Sequence, residues 1–300
     1  MIKRINSPLV VGIGELLWDI FPDGKQMGGA PANVIYHVKH TGCEGYVISL
    51  VGNDDLGKSL ISEMEKCNLS DRYVGISDLH PTGTVTVKLD KKGMPAYKIN
   101  ENVAWDYLRI DDKNLNLVKE ANAICFGSLA QRSNASRNTI ISLLKESSDN
   151  ALKVFDLNLR QNYYNYSVID QSLEMCNILK LNEDELKELT VLFELTGTID
   201  SRLKYFSENY NLDLIALTKG ARSSILYTPE ERSELPSPNI NISDTVGAGD
   251  CFTAIIIAGI LKNMPLNKIH RMAVDMSAWV CTKQGATPEY TLEQDIYRLY

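Results

Sequence analysis

Short apolar runs alternate along this chain with longer amphipathic segments. Leu9 to Ile13, Tyr46 to Val51, Ala123 to Phe126, Leu152 to Phe155, Ile178 to Leu181 and Leu214 to Leu217 have strand length, and the segments between them have helical spacing. Hydrophobicity inside the runs is continuous rather than alternating, which predicts strands buried on both faces. That is the pattern of a doubly wound α/β fold, with a mainly parallel central sheet flanked by helices. In such sheets ligands bind beyond the strand C-termini, so polar motifs at those ends are the first candidates for chemistry.

One interval departs from this pattern. Thr82 to Leu89 and Met94 to Ile99 flank Asp90-Lys91-Lys92-Gly93, a turn-like tetrapeptide, and together predict a β-hairpin. With Leu16 to Phe21 the hairpin makes a small sheet projecting from the main one. No repeat, low-complexity tract or linker divides the chain, so residues 1–300 read as a single domain, with about 15–30 and 80–104 in the small sheet.

Composition narrows the function classes. With 300 residues and 44% hydrophobic content the chain can bury a large core, and a formal charge of −7 without a basic run argues against nucleic acid as a partner. Lys3 and Arg4 precede an apolar stretch that Pro8, Glu15 and Asp19 interrupt, and no apolar run reaches the ~18 residues of a membrane span. Six scattered cysteines without a C-x-x-C pair read as reduced thiols. The expectation is a cytoplasmic protein with no membrane partner. His37, His40, His80 and His270 lack metal-ligand spacing and read as packing or surface residues.

The most chemical segment is Asp244-Thr245-Val246-Gly247-Ala248-Gly249-Asp250, which opens the apolar stretch Cys251 to Leu261. A buried helix there would aim free N–H groups at an anion, and glycines would let it approach. Asp250 beside a phosphate suggests a base that takes a proton from an attacking hydroxyl; the plain alternative is a tight turn with an acid at the helix dipole.

Two other glycine motifs compete. Gly52-Asn53-Asp54-Asp55-Leu56-Gly57-Lys58-Ser59 is a literal Walker A match between a strand and a helical segment, with Val154-Phe155-Asp156 as its Walker B candidate, although paired aspartates inside the cradle would repel phosphates. Gly12-Ile13-Gly14 lacks the third glycine of a dinucleotide fingerprint.

Gly28-Gly29-Ala30-Pro31-Ala32-Asn33 places Pro31 where the first residue of a helix is expected. Asp156-Leu157-Asn158-Leu159-Arg160 follows a strand and ends in a guanidinium suited to oxygen pairs. Asn182-Glu183-Asp184-Glu185 reads equally as a metal-holding set or as an acidic first turn.

In this order the motifs resemble those of the ribokinase-like (PfkB) carbohydrate kinases, and the resemblance runs from Gly14 to Pro288. It implies that Asp250 is the catalytic base, with Gly247, Ala248 and Gly249 as an anion hole and Arg160 near the transferring phosphoryl group. It implies that Asp19, Gly28, Gly29, Asn33, Asp156 and Asn158 bind the sugar. Asn182, Thr218, Lys219, Gly220 and Gly249 would contact ATP, with Gly285 to Pro288 bordering the adenine. Glu185 and Asn182 would hold Mg²⁺, and Asp244 and Thr245 a monovalent cation such as K⁺. The small sheet would be a lid, in several relatives also a homodimer contact, and Trp105 is either a sugar-pocket cap or plain core.

Gly14-Glu15-Leu16-Leu17-Trp18-Asp19 joined to Gly28–Asn33 is most similar to the fructokinase branch, which implies transfer from ATP to D-fructose. A ribose, 2-keto-3-deoxygluconate or adenosine kinase would share the catalytic residues. Lys88, Lys91, Lys92 and Lys98 leave room for a phosphorylated sugar. A sensor without catalysis and a P-loop NTPase are the remaining alternatives.

Overall fold

The computed structural model describes residues 7–89 and 95–290; the predicted turn at 90–93 lies outside them. In chain order the strands are β1 (Leu9–Ile13), β2 (Leu17–Phe21), β3 (Gly24–Gly28), β4 (Glu44–Gly52), β5 (Val74–Ser77), β6 (Gly83–Leu89), β7 (Pro95–Ile99), β8 (Ala123–Gly127), β9 (Leu152–Asp156), β10 (Ile178–Asn182), β11 (Leu214–Thr218), β12 (Ser223–Tyr227) and β13 (Arg232–Pro236). The helices are α1 (Ala30–His40), α2 (Asp55–Lys66), α3 (Asp112–Glu120), α4 (Asn134–Glu146), α5 (Tyr166–Met175), α6 (Glu183–Leu192), α7 (Ile199–Tyr210), α8 (Ala248–Leu261) and α9 (Leu266–Cys281).

All six apolar runs are strands of one nine-stranded sheet, ordered β13-β12-β11-β10-β9-β8-β1-β4-β5. Pairing is parallel from β5 to β11 and antiparallel at β12 and β13. Strand side chains alternate between two cores. Val10, Cys125, Val154, Ile178 and Leu214 face α1, α2, α8 and α9. Val11, Phe126, Phe155, Leu179 and Ile215 face α3 to α7. This two-sided burial is the physical reason the strands read as unbroken apolar runs.

A second sheet, ordered β3-β2-β6-β7, draws on residues 17–28 and 83–99. Its alternation separates two faces: Trp18 donates its indole N–H to Leu56 O at 2.9 Å on the α2 side, whereas Asp19 points the other way. Among the described residues no helix is long and apolar enough to cross a membrane. The six cysteines are all free thiols.

Candidate active site

The start of α8 is left open by its sequence. Its N-cap is Gly247 at φ 77°, a left-handed conformation that glycine adopts without strain, and no side chain caps it. A Cβ at Gly247 would stand 2.5 Å from the Ala286 Cα, so the 285–288 loop packs directly on this turn. The Ala248 amide makes a long bond to Thr245 O at 3.4 Å, and first-turn amides without a side-chain cap carry the positive end of the helix dipole.

Asp250 sits in that first turn. Asn33, on the second turn of α1, donates from Nδ2 to Asp250 Oδ2 at 2.8 Å. One hydrogen bond thus joins the two glycine motifs across 217 positions of sequence. Helix α1 begins one residue earlier than its sequence suggests: Gly29 is the N-cap and Pro31 the second helical residue, where a missing N–H is equally harmless. Gly29, at φ 118°, lies against Glu15 O, and the Ala30 amide donates to Glu15 Oε1 at 3.3 Å.

Three carboxyls in this region are held above their ordinary pKa. Burial raises Glu15 to about 7 and Asp19 to about 6, with the Arg160 guanidinium opposing both. Burial also lifts Asp250 to about 6, helped by repulsion from Asp156 and opposed by Lys180, the Asn33 hydrogen bond and Arg160. Arg160 is itself exposed, and its Nη1 donates to its neighbour's carbonyl, Leu159 O, at 3.0 Å. Asp19 lies over Gly28, where a Cβ would come 2.3 Å from Oδ2. Asp19, Gly28, Gly29, Asn33, Arg160 and Asp250 therefore gather around the open end of α8.

Asp156 is differently placed. It is buried, with Oδ1 2.9 Å from Lys180 Nζ and Oδ2 accepting from Thr253 Oγ1 at 2.8 Å. Both oxygens of Asp156, expected to bind the sugar, are thus engaged by protein groups. Asn158 follows in a left-handed conformation, φ 43°. Trp105 is fully buried among core residues, with the Arg132 guanidinium 4.0 Å from its ring centroid, so it is core and not a pocket cap.

Asn182 and Glu185 form a reciprocal cap on α6. Asn182 Oδ1 accepts from the Glu185 amide at 2.9 Å, and Glu185 Oε2 accepts from the Asn182 amide at 2.8 Å. Glu185 Oε1 further accepts from the Leu159 amide at 2.9 Å. Glu183 pairs with Arg222, and Asp184 with Lys187. Among the described residues no cluster of three or more His, Cys, Asp or Glu could hold a metal. This donor set does not fit a protein-only cage. Such a set suits Mg²⁺ that arrives on phosphates and keeps its waters rather than one caged by protein ligands.

Thr218 is the register partner of Asn182, and Lys219 and Gly220 follow in the β11–β12 turn, with Lys219 paired to Glu234. These residues line the same sheet end as α6. Asp244 accepts from the amides of Val246 at 3.0 Å and Gly285 at 3.0 Å, tying the segment before α8 to the last loop. That bracing accounts for Asp244, and no feature of Asp244 or Thr245 singles out K⁺.

Lys180, Glu15 and Thr253 are site residues the sequence reading missed. The available signal was Lys180, a lone cation inside a strand whose neighbours Leu179 and Leu181 are fully buried. A cleft of about 590 Å³ lined by Asp54, Thr84, Lys98, Glu101, Gln161 and Tyr163 touches neither Asp250 nor Asn33. Thr84 is the register partner of Trp18, which places the cleft on the α2 side of the small sheet, away from Asp19.

The chain resembles proteins of known class over nearly its full length. It is 32% identical to an uncharacterized sugar kinase of Pyrococcus horikoshii, over 93% of this chain and 91% of that one. The structure of that kinase in complex with ATP superposes with a TM-score of 0.81, covering 96% of this chain and 99% of that chain. A fructokinase of Salmonella typhimurium is 25% identical, over 96% of this chain and 98% of its own. The 2-dehydro-3-deoxygluconokinase of Thermotoga maritima, at 18% identity, shares the fold with a TM-score of 0.82, over 97% and 99% of the two chains. The profile of the pfkB family carbohydrate kinases matches residues 22–292. With that match and the fold it accompanies, the chain belongs to the pfkB family of carbohydrate kinases.

Proposed function

We propose that this protein transfers the terminal phosphoryl group of ATP to a hydroxyl of a small sugar, with Asp250 as the base. The observation that carries the reading is the 2.8 Å bond from Asn33 to Asp250. It puts the acid of the open α8 terminus beside α1, whose start and neighbouring strand supply Gly29 and Asp19. An acceptor hydroxyl lying between them would be held by short polar groups with donor and acceptor capacity and would meet its base at once.

The uncapped amides of α8 would receive the charge that gathers on the transferring group, and Arg160 would add a mobile cation from the β9 side. Mg²⁺ bound with the nucleotide would supply further charge neutralisation on the phosphates, its waters held by Glu185 and Asn182. Thr218, Lys219 and Gly220 would flank the nucleotide along the same sheet end. The four-stranded sheet would close over the sugar and exclude water.

The acceptor is an unphosphorylated sugar or sugar acid in this reading. D-fructose heads the candidates, because the Glu15-to-Asp19 and Gly28-to-Asn33 motifs resemble fructokinases and the Salmonella relative bears that name. Ribose and 2-keto-3-deoxygluconate follow, since the catalytic residues would serve either acceptor. A panel of these sugars with ATP and ADP release as readout tests the proposal. Turnover on at least one is the expected result; ADP release that no sugar stimulates would overturn it.

A further inference from the structure

Lys180 and Asp156 are register partners on adjacent strands, β10 and β9, and share the sheet face that also carries Ile178 and Val154. That face is the one α8 covers. Lys180 is 7% exposed, its Nζ 2.9 Å from Asp156 Oδ1. Asp156 Oδ2 accepts from Thr253 Oγ1 at 2.8 Å, and the same hydroxyl lies 3.1 Å from Gly249 O, one turn earlier in α8. A Cβ on Gly249 would fall 2.9 Å from Lys180 Nζ. The ammonium therefore presses on the underside of the helix start whose outer side holds Asp250.

We propose that Lys180 is a positioning residue for phosphoryl transfer: it braces the first turn of α8 from beneath and balances the two carboxylates, Asp156 and Asp250, that the sheet and the helix bring together. The proposal rests on the reading of Asp250 as the base. Lys180 is too enclosed to touch sugar or nucleotide, so it acts through Gly249, Thr253 and Asp250. A buried carboxylate stripped of its cation is expensive, and two facing each other more so.

The groups facing Asp250 set the sign of each test. Asp156 on β9 disfavours its ionised form, whereas Lys180 on β10, Asn33 on α1 and Arg160 after β9 favour it. Glu15 after β1, which feels Asp250 as a like charge, and the buried thiols of Cys125 on β8 and Cys251 on α8 complete the surroundings. Removing Lys180 and removing Asp156 must then move Asp250 in opposite directions. General loosening of the site would not produce opposed shifts.

The experiment is the pH dependence of kcat/KM for the sugar acceptor in wild type, Lys180→Met and Asp156→Asn, with Asp250→Asn measured first. For Lys180→Met we expect kcat to fall by about 10- to 100-fold, as for misplaced catalytic groups, with KM for the sugar nearly unchanged. Its acid limb should move up by about one pH unit, the size of shift a neighbouring charge produces. In Asp156→Asn the acid limb should move down. If Lys180→Met does not fold, the direction of the Asp156→Asn limb decides alone. Acid limbs that stay at the wild-type position, or move the same way in both variants, overturn the inference while an inactive Asp250→Asn leaves the base in place. Wild-type turnover in Asp250→Asn would instead remove the base and the inference together.

Discussion

Two glycine-bearing helix starts in this chain look alike in sequence and are built for opposite ends. At α2 the side chain of Asp54 closes the terminus: Oδ1 accepts from the Gly57 amide at 2.7 Å and from Thr82 Oγ1 at 2.6 Å, and Oδ2 accepts from the Thr82 amide at 2.8 Å. A Cβ at Gly57 would lie 2.1 Å from Gly52 O, so the loop has folded onto itself. At α8 the cap is a bare glycine, and the acid one turn in is bonded to a different helix. Whether a glycine loop is an anion site depends less on its glycines than on whether a nearby side chain has taken their amides first.

The carboxylates show the same contrast in their titration. Burial tends to raise Asp54, but the hydrogen bonds from Thr82 and Gly57 outweigh it and leave the pKa below its ordinary value. The stability this contributes is present at neutral pH and lost as pH falls through the folded pKa. Asp250 and Glu15 have raised values, so the folded state holds their protons more tightly than the unfolded chain does. Their contribution is present below the unfolded pKa and is lost as pH rises through 6 to 7. Asp54 is satisfied as an anion; Asp250 and Glu15 are kept under tension.

Replacing each acid by its amide is the strongest way to break the comparison. Asp250→Asn should lower kcat by about 10²- to 10⁴-fold, the usual contribution of a positioned base, with ATP binding retained. Asp54→Asn should leave kcat near wild type. Steady-state kinetics of the two variants distinguish the helices, and a large kcat loss at Asp54 would reverse their roles. Next in size is the pH profile. A base must be ionised, so kcat/KM should fall about tenfold per pH unit below about 6 and level off above it.

Much of this organisation was legible in the sequence, and the exceptions have physical reasons. The six inner strands stood out because both faces are buried. Strands β12 and β13 pair antiparallel at the edge, and β13 alternates exposed and half-buried positions, so no apolar run marks it in the sequence. Strand β3, Gly24–Gly28, begins with three exposed residues and carries no apolar run at all. Asn33, Asp250 and Arg160 sit in local motifs that carry the family resemblance, and the resemblance implies their roles. Lys180 was hidden because what makes it informative is Asp156, 24 residues away on the neighbouring strand. Glu185 was visible as an acid, but its double use as a cap on α6 and an acceptor for Leu159 needs the three-dimensional register.

Smaller effects sharpen the contrast. Asp54→Ala should cost roughly 1 kcal/mol of stability, the typical value of an N-cap, read by chemical denaturation with kcat unaltered. Glu15→Gln removes a buried acid that must ionise above about 7, so its Tm should gain on wild type at pH 8 and lose that advantage by pH 5. An equal Tm difference at both pH values would mean that Glu15 does not titrate in this range. Smallest of all, Lys58→Ala and Ser59→Ala, which alter the Walker-like residues, should leave KM for ATP within about twofold, because Lys58 is exposed and the Ser59 hydroxyl is already bonded to Leu56 O and Lys25.

The central claim is that the nucleotide's terminal phosphate is received at the start of α8. A crystal structure with a non-hydrolysable ATP analogue and Mg²⁺ tests it most directly. The account predicts the terminal phosphate within hydrogen-bonding distance of the amides of Gly247 to Asp250, with the Asp250 carboxylate facing the acceptor side. A triphosphate wrapped by Gly52 to Ser59, with the α8 terminus empty, would contradict it.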